Sequence, residues 1–468
     1  IVFGGPQVPS SPARYFETYP FVDVTARGEG EVSFTQVLER LLDSTEFEGI
    51  PGISWRRGST GECVRNLEEQ RLERDLDVFP SPYLEGLYDN LFDTYPDVGF
   101  QAIIETDRGC PFLCSYCYWG QGGLSRRFRF HSLERIQKEV EWIAEHKIRY
   151  VFNAASNFGM HENDFAIAET LVAAKRRYGY PEKFRSCYGK NAEERIFSMG
   201  LLLHKNEMEK GITLSHQSMN PVVLKNVHRK NIGIDLYKNL QAKFNQASVP
   251  VYTELILAMP GETYDSWRNG LEVLLESGLS NQLFIYHCQV YPNTELASAE
   301  YRERFGIVTR RLLLTETHGA VRSGDSIPEF EEIVVATNTM PVDDWRRATV
   351  LSWLTMAMTS LKLGLFVLLY LKRRHGIPFM EFISHLGDRL MPAGMGGTLR
   401  RELVIYNDRA NAMLNGAGHA SVLPGYGDLY WDEEESSFLR MVEQKDAFYS
   451  ELFEILGDFL AGRGIKCP

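Results

Sequence analysis

Six strand candidates, alternating with stretches of helical spacing, constrain this chain most. They are 102–106 (AIIET), 149–153 (RYVFN), 184–188 (FRSCY), 211–215 (GITLS), 251–258 (VYTELILA) and 283–290 (LFIYHCQV). Between them apolar residues recur every three or four positions, as at Ile136, Val140 and Ile143, and at Phe165, Ala168, Leu171 and Val172. Parallel strands need helical crossovers to join them. Six such units predict an α/β fold with a parallel sheet and helices outside. Curled, this is a six-unit partial (βα) barrel spanning 99–300, with its active site at the C-terminal ends of the strands.

The flanks read differently. Residues 1–45 hold a short strand ending at Gly4-Gly5-Pro6 and a second strand at Phe21–Thr25. A turn follows at Arg27-Gly28-Glu29-Gly30-Glu31, then helical spacing at Phe34, Val37, Leu38 and Leu41. These are too few elements for a doubly wound domain, so its remainder is expected ahead of Ile1. Residues 46–98 read as a connector, with a hairpin over Ile53–Asn66 around Gly58–Gly61 and a rigid Pro80-Ser81-Pro82-Tyr83 stretch. Residues 301–468 read as helices, including a long one over 433–461. Two apolar runs, 348–361 and 363–371, flank Lys362. Together they approach the roughly 20 residues of a membrane span. Ser352, Thr355, Thr359 and Ser360 dilute them, so a buried helix and no membrane span are expected.

Composition narrows the partners. A chain with 44% apolar and 24% charged residues is globular rather than disordered. A net charge of −12 opposes a nucleic-acid partner. Seven Cys in 468 residues do not make a disulfide framework, so a reducing cytoplasm is the expected setting. No basic segment followed by an apolar one opens the chain, so no signal peptide is expected.

Three of the seven, Cys110, Cys114 and Cys117, lie within eight residues on the loop after the first barrel strand. A C-x3-C-x2-C run can hold three irons of a 4Fe–4S cluster and leave the fourth open to a small ligand. A zinc site would need a fourth ligand, and the nearest His, His131, lies 14 residues beyond Cys117. Cys187 and Cys288 sit in predicted strands and read as small core residues.

On this motif, with Tyr116 as the aromatic before the last Cys, residues 99–300 resemble the radical S-adenosylmethionine (SAM) enzymes. The resemblance implies that SAM chelates the open iron and is cleaved by one electron to methionine and a 5′-deoxyadenosyl radical. It implies further SAM contacts at Asn157 after strand two, at Gln217, Ser218 and Arg229 after strand four, at Glu254 on strand five, and at Gly261 in a Pro-Gly-Glu-Thr turn. Relatives often carry Asp-Ala-Asn-Phe-Gly where this chain has Ala155-Ser156-Asn157-Phe158-Gly159, so that Asp is absent. Other uses stand beside these. Gly261 can serve the turn alone, Glu262 can cap the next helix, and Glu254 can be a ribose ligand or a buried paired carboxylate. Tyr291-Pro292-Asn293, ending strand six, is expected to face substrate.

The N-terminal segment resembles the closing part of a Rossmann-like cobalamin-binding domain, with Gly4, Gly5, Gly28 and Glu29 as the implied cofactor-binding positions. The family's Asp-x-His-x-x-Gly cobalt-ligand motif does not occur in the 468 residues. Cobalamin beside a SAM-cleaving cluster implies an enzyme that methylates an unactivated carbon of a natural-product or metabolite substrate. The helical C-terminal region is expected to shape the substrate pocket. A flavodoxin- or ferredoxin-type donor is the expected electron source, with Arg126-Arg127-Phe128-Arg129 as a docking run. Alternatives are a cobalamin-assisted ring contraction or cyclisation, tRNA methylthiolation, and a non-catalytic iron–sulfur protein. The methylthiolation family's second Cys trio and basic RNA-binding module are not visible here.

Overall fold

The computed structural model describes residues 1–468 except 45, 59, 68–71, 122–125, 190–192, 279–281, 323, 325, 391–396 and 467–468. They form two compact units. One comprises Ile1–Thr213, Gln246–Pro250 and Tyr291–Tyr301, the other Leu214–Asn245, Val251–Val290 and Arg302–Pro468. Cys467 lies outside the described residues.

All six expected barrel strands are present, at Gln101–Ile104, Tyr150–Phe158, Lys183–Tyr188, Ile212–Thr213, Val251–Leu257 and Leu283–His287. In the first unit, 101–104, 150–158 and 183–188 pair in parallel, with 150–158 central. Helix Leu133–Glu145 packs on helix Asn163–Tyr178, which packs on helix Glu193–Lys205. Ser132 caps the first of these by accepting from the Arg135 N–H (3.2 Å). In the second unit, 251–257 and 283–287 pair in parallel from Thr253↔Leu283 to Leu257↔His287.

The N-terminal segment and the expected connector share one sheet. Val2–Phe3 pairs in parallel with Val24–Ala26, against which the hairpin Ile53–Arg56/Cys63–Arg65 adds antiparallel. The second strand thus lies slightly later than the expected 21–25, and Phe21 is exposed. Val24, Ala26, Val37, Phe47, Ile50, Ile53 and Trp55 form one buried core. Trp55 has no exposed surface, so truncation to Ala should cost about 3–5 kcal/mol.

The region after 300 is helical but not wholly so. An antiparallel pair, Val308–Leu313 with Phe330–Ala336, follows helix Ala299–Phe305 and precedes the remaining helices. The apolar runs around Lys362 are two helices, Val342–Thr359 and Leu365–His375. Lys362 itself has a left-handed backbone (φ 66°), which breaks the run. No helix among the described residues is long and apolar enough to cross a membrane. Helix 342–359 is buried along nearly its whole length and packs on helices Phe379–Leu390, Thr398–Leu414 and Glu433–Glu443. Its Ser352, Thr355 and Thr359 hydroxyls donate to carbonyls four residues back, which is how a polar stripe survives burial. The long helix expected over 433–461 is interrupted at Gln444, leaving 433–443 and Lys445–Ala461.

Candidate active site

In the first unit the cluster loop is held on three sides. Before it, Asp107–Arg108 pairs antiparallel with Arg129–Phe130. Within it, Cys117 N–H donates to the Cys114 carbonyl (3.0 Å), turning two thiols onto one bend. Cys110 and Cys114 are buried, Cys117 is half-buried, and none of the three is in a disulfide. Tyr116 is half-buried on the same bend. From strand two, Asn157 Nδ2 donates to Cys110 Sγ (3.3 Å) and to Ser156 Oγ (2.8 Å). Ser156 Oγ donates in turn to the Gly109 carbonyl (2.8 Å). From the segment after strand six, the Leu296 N–H donates to the Ser115 carbonyl (2.9 Å), and the Tyr301 and Ser115 hydroxyls are bonded (3.0 Å).

Burial pushes the Cys110 thiol pKa up, while hydrogen bonds from Phe112 N–H and Asn157 oppose the rise. Among the described residues, no three His, Cys, Asp or Glu side chains converge on one metal ion. A cubane cluster takes one thiolate per iron, which three thiols on one loop can supply.

Two carboxylates here stand outside the sequence motifs. Asp164, in the first turn of helix 163–178, accepts from the Gly159 N–H (2.6 Å) and the His161 N–H (2.9 Å), closing the loop that carries Asn157. Asp107 is pushed up to about 7, by burial first and then by the charge of Asp164, and its Oδ1 has no hydrogen-bond partner. The Asp-Arg-Gly run just ahead of Cys110 was the available signal.

The N-terminal positions lie in the same unit. Gly4 and Gly5 follow strand 2–3, and Gly5 and Gly28 have left-handed backbones (φ 90° and 70°). The Glu29 carboxylate is largely shielded, and it binds Arg129 through both oxygens and Arg108 at 3.4 Å. Arg129 therefore lies inside, and the expected docking run keeps Arg126 and Arg127 as its exposed members. Asn293 does not stand open for substrate either. Its side chain holds the N-terminal loop, donating to the Val8 carbonyl (2.7 Å) and accepting from the Ser10 N–H (2.9 Å).

The second unit gathers Gln217, Ser218, Arg229, Glu254 and Gly261. Gln217 has a left-handed backbone (φ 65°), a strained state for a side chain with a Cβ and one that concentrates at functional sites. Its N–H donates to the Glu254 carbonyl (2.8 Å) and its carbonyl accepts from the Ile256 N–H (2.8 Å), fixing the bend to strand five. Arg229, nearly buried, donates to the Ser215 carbonyl (2.8 Å), the His216 carbonyl (3.2 Å) and Asn231 Oδ1 (2.8 Å), so it braces the same bend. Glu254 accepts from the Ser215 hydroxyl.

Glu262 is buried and its pKa is raised by that burial. It accepts from Ser218 Oγ (2.9 Å), Asn220 Nδ2 (3.2 Å) and Ser266. Glu262 is not the helix cap. Thr263 caps helix Tyr264–Glu276, reciprocally with Ser266. Gly261 has φ 97°, and a Cβ there would stand 2.6 Å from Asn226 Nδ2. The turn geometry alone demands glycine.

The sequence profile described as the Radical SAM superfamily matches residues 104–274. The cobalamin-dependent radical SAM methyltransferase TokK of Streptomyces tokunonensis is 35% identical over 472 residues, covering 97% of this chain and 68% of that protein. The chain belongs to the cobalamin-dependent radical SAM methyltransferases. The 2-(S-pantetheinyl)-carbapenam-3-carboxylate methyltransferase of Streptantibioticus cattleyicolor is 33% identical, covering 99% of this chain and 69% of its own length. The solved structure of TsrM from Kitasatospora setae with cobalamin and a [4Fe-4S] cluster superposes with a TM-score of 0.53 at 15% identity, over 88% of this chain and 82% of TsrM. OxsB with aqua-cobalamin gives 0.53 at 14%, over all of this chain and 68% of OxsB. These two likenesses concern the fold. It is the expected α/β class, a radical SAM partial barrel with a Rossmann-like cobalamin-domain segment before it and a helical region after it. The cofactors of this methyltransferase family are a 4Fe–4S cluster, SAM and cobalamin.

Proposed function

We propose that this methyltransferase places a methyl group on an unactivated carbon of a natural-product intermediate. The observation that carries the reading is the cluster loop, three buried or half-buried thiols outside any disulfide with Asn157 donating to Cys110, in a chain similar along 97% of its length to a cobalamin-dependent methyltransferase. When bound, the cluster supplies an electron to SAM and cobalamin supplies the methyl carrier. Overall, one substrate C–H, two SAM and two electrons give one C–CH3, adenosylhomocysteine, methionine and 5′-deoxyadenosine, which balances without a proton.

In this reading Cys110, Cys114 and Cys117 hold the cluster, and Tyr116 and Asn157 shape its loop. Gln217 and Glu254 meet SAM from the bend that Arg229 braces. Ser218 and Gly261 act one step back, through Glu262 and through the turn. Gly4, Gly5 and Gly28 provide the cobalamin-side turns. Arg126 and Arg127 present an exposed basic face for an acidic flavodoxin- or ferredoxin-type donor.

The substrate class to assay first is a carbapenam carboxylate with a pantetheinyl thioether, the substrate named for the S. cattleyicolor relative. Anaerobic incubation of reconstituted enzyme with methyl-labelled SAM should give a labelled product. Loss of any one of the three Cys should abolish 5′-deoxyadenosine formation, and a Cys110→Ala enzyme that still forms it would refute the cluster assignment.

A further inference from the structure

We propose that Glu29 and Asn293 are positioning residues that lock the N-terminal segment to the cluster loop from two sides, setting how efficiently SAM cleavage is coupled to methyl transfer. The inference rests on the methyltransferase reading above. On one side, Glu29 in the Gly-Glu-Gly-Glu turn is held by Arg129, with Arg129 Nη1 at 3.0 Å, and by Arg108 at 3.4 Å. Both arginines belong to the short antiparallel pair that opens the cluster loop, and Arg108 stands two residues before Cys110. Glu31 reaches Arg108 as well (2.6 Å), and Glu105 completes that guanidinium's shell (2.8 Å). The Glu29 and Arg129 side chains are 9% and 8% exposed. An ion pair so shielded keeps its strength and geometry far better than a surface pair.

On the other side, Asn293 binds Val8 and Ser10 just after Gly4-Gly5, from a left-handed backbone (φ 65°). Its own segment then continues to Leu296 and Tyr301, which hold Ser115 between Cys114 and Cys117. One strap therefore touches both the N-terminal loop and the cluster loop, opposite in chain terms to the arginine pair.

The chemistry explains why such a lock matters. SAM cleavage needs the cluster loop, the residues that meet SAM and an electron, but not the methyl carrier. Methyl transfer also needs the carrier held by the N-terminal segment, and a small misplacement of reacting groups is costly in rate. A loosened lock should leave cleavage running and waste it.

The test uses the full chain with Arg129→Gln, Arg129→Lys and Asn293→Gly, the last keeping the left-handed backbone while removing the side-chain bonds. Without cofactors, amide exchange over residues 1–31 should quicken about ten-fold in Arg129→Gln and Asn293→Gly, and less in Arg129→Lys. In reconstituted enzyme, methylated product per 5′-deoxyadenosine should fall about ten-fold in the same two variants and recover in part with Lys. Unchanged exchange and unchanged coupling in Asn293→Gly would overturn the proposal, whether or not Arg129→Gln folds. If the wild-type chain makes 5′-deoxyadenosine but no methylated product, the functional reading fails, and the exchange measurement still decides the lock.

Discussion

Replacing Gly261 by Ala should destabilise the second unit by about 2–4 kcal/mol. The backbone at φ 97° is one that an L side chain rarely adopts, and a left-handed state costs roughly 1–2 kcal/mol for a residue with a Cβ. The added Cβ would stand 2.6 Å from Asn226 Nδ2, so the amide must move. That amide donates to the Pro260 carbonyl (3.1 Å), and losing such a bond costs about 1 kcal/mol. Asn226→Ala alone should cost about 1 kcal/mol for the same bond. In the double variant the amide is gone, and the nearest remaining atom is Val222 Cγ1 at 3.2 Å. The two effects should therefore combine to less than their sum, by about 1 kcal/mol. Urea unfolding followed by circular dichroism reads all four corners of the cycle. A loss under about 0.5 kcal/mol for Gly261→Ala, or strict additivity, would refute the argument.

Two further predictions concern buried charge. Arg440 donates to both Glu402 oxygens (2.7–3.1 Å) and to Glu433 (3.3 Å), whose side chains are 3% and 0% exposed. Arg440→Met takes the guanidinium from the buried Glu402, while Glu433 keeps Arg409 (3.1 Å) and Ser421 (2.6 Å), and should cost about 3–5 kcal/mol in urea unfolding, with much of the loss returned by adding Glu402→Gln. His216 is buried edge-on to Tyr237 (4.3 Å), its Nε2 has no hydrogen-bond partner, and desolvation pushes its pKa down from 6.5 to about 4. A folded pKa below the unfolded value means that stability is lost as pH falls from about 6.5 to about 4, by on the order of 3 kcal/mol. His216→Gln should flatten that acid limb in a series of melts across this range, and an unchanged slope would show that another group is responsible.

The sequence displayed the barrel strands because strand-length segments alternate with stretches of helical spacing, as at 251–258, where apolar residues flank Thr253 and Glu254. It displayed the cluster loop because three thiols at fixed spacing have few other uses. It hid the pairing of 308–313 with 330–336, whose partners are far apart in the chain and whose Arg310, Arg311, Glu331 and Glu332 break the apolar pattern. It hid the fate of Glu29 for a related reason. Nothing local tells a glutamate in a glycine turn whether it meets a ligand or an arginine 100 residues away. Arg229, Asn293 and Glu262 are similar cases. Each was legible as a polar residue at a strand end, but its partners are backbone carbonyls, an N-terminal loop and a cluster of hydroxyls, which only the tertiary fold brings within reach. The loss of the long C-terminal helix at Gln444 had no breaker residue to announce it.

The central claim, methyl transfer by paired SAM chemistry at the Cys110–Cys114–Cys117 loop, is tested most directly by product stoichiometry. The chain is reconstituted anaerobically with iron, sulfide and cobalamin, reduced, and given methyl-labelled SAM with the carbapenam carboxylate. The account predicts labelled product, adenosylhomocysteine and 5′-deoxyadenosine in equal amounts. Formation of 5′-deoxyadenosine and a changed substrate, with neither adenosylhomocysteine nor label in the product, would contradict it and point to a rearrangement instead.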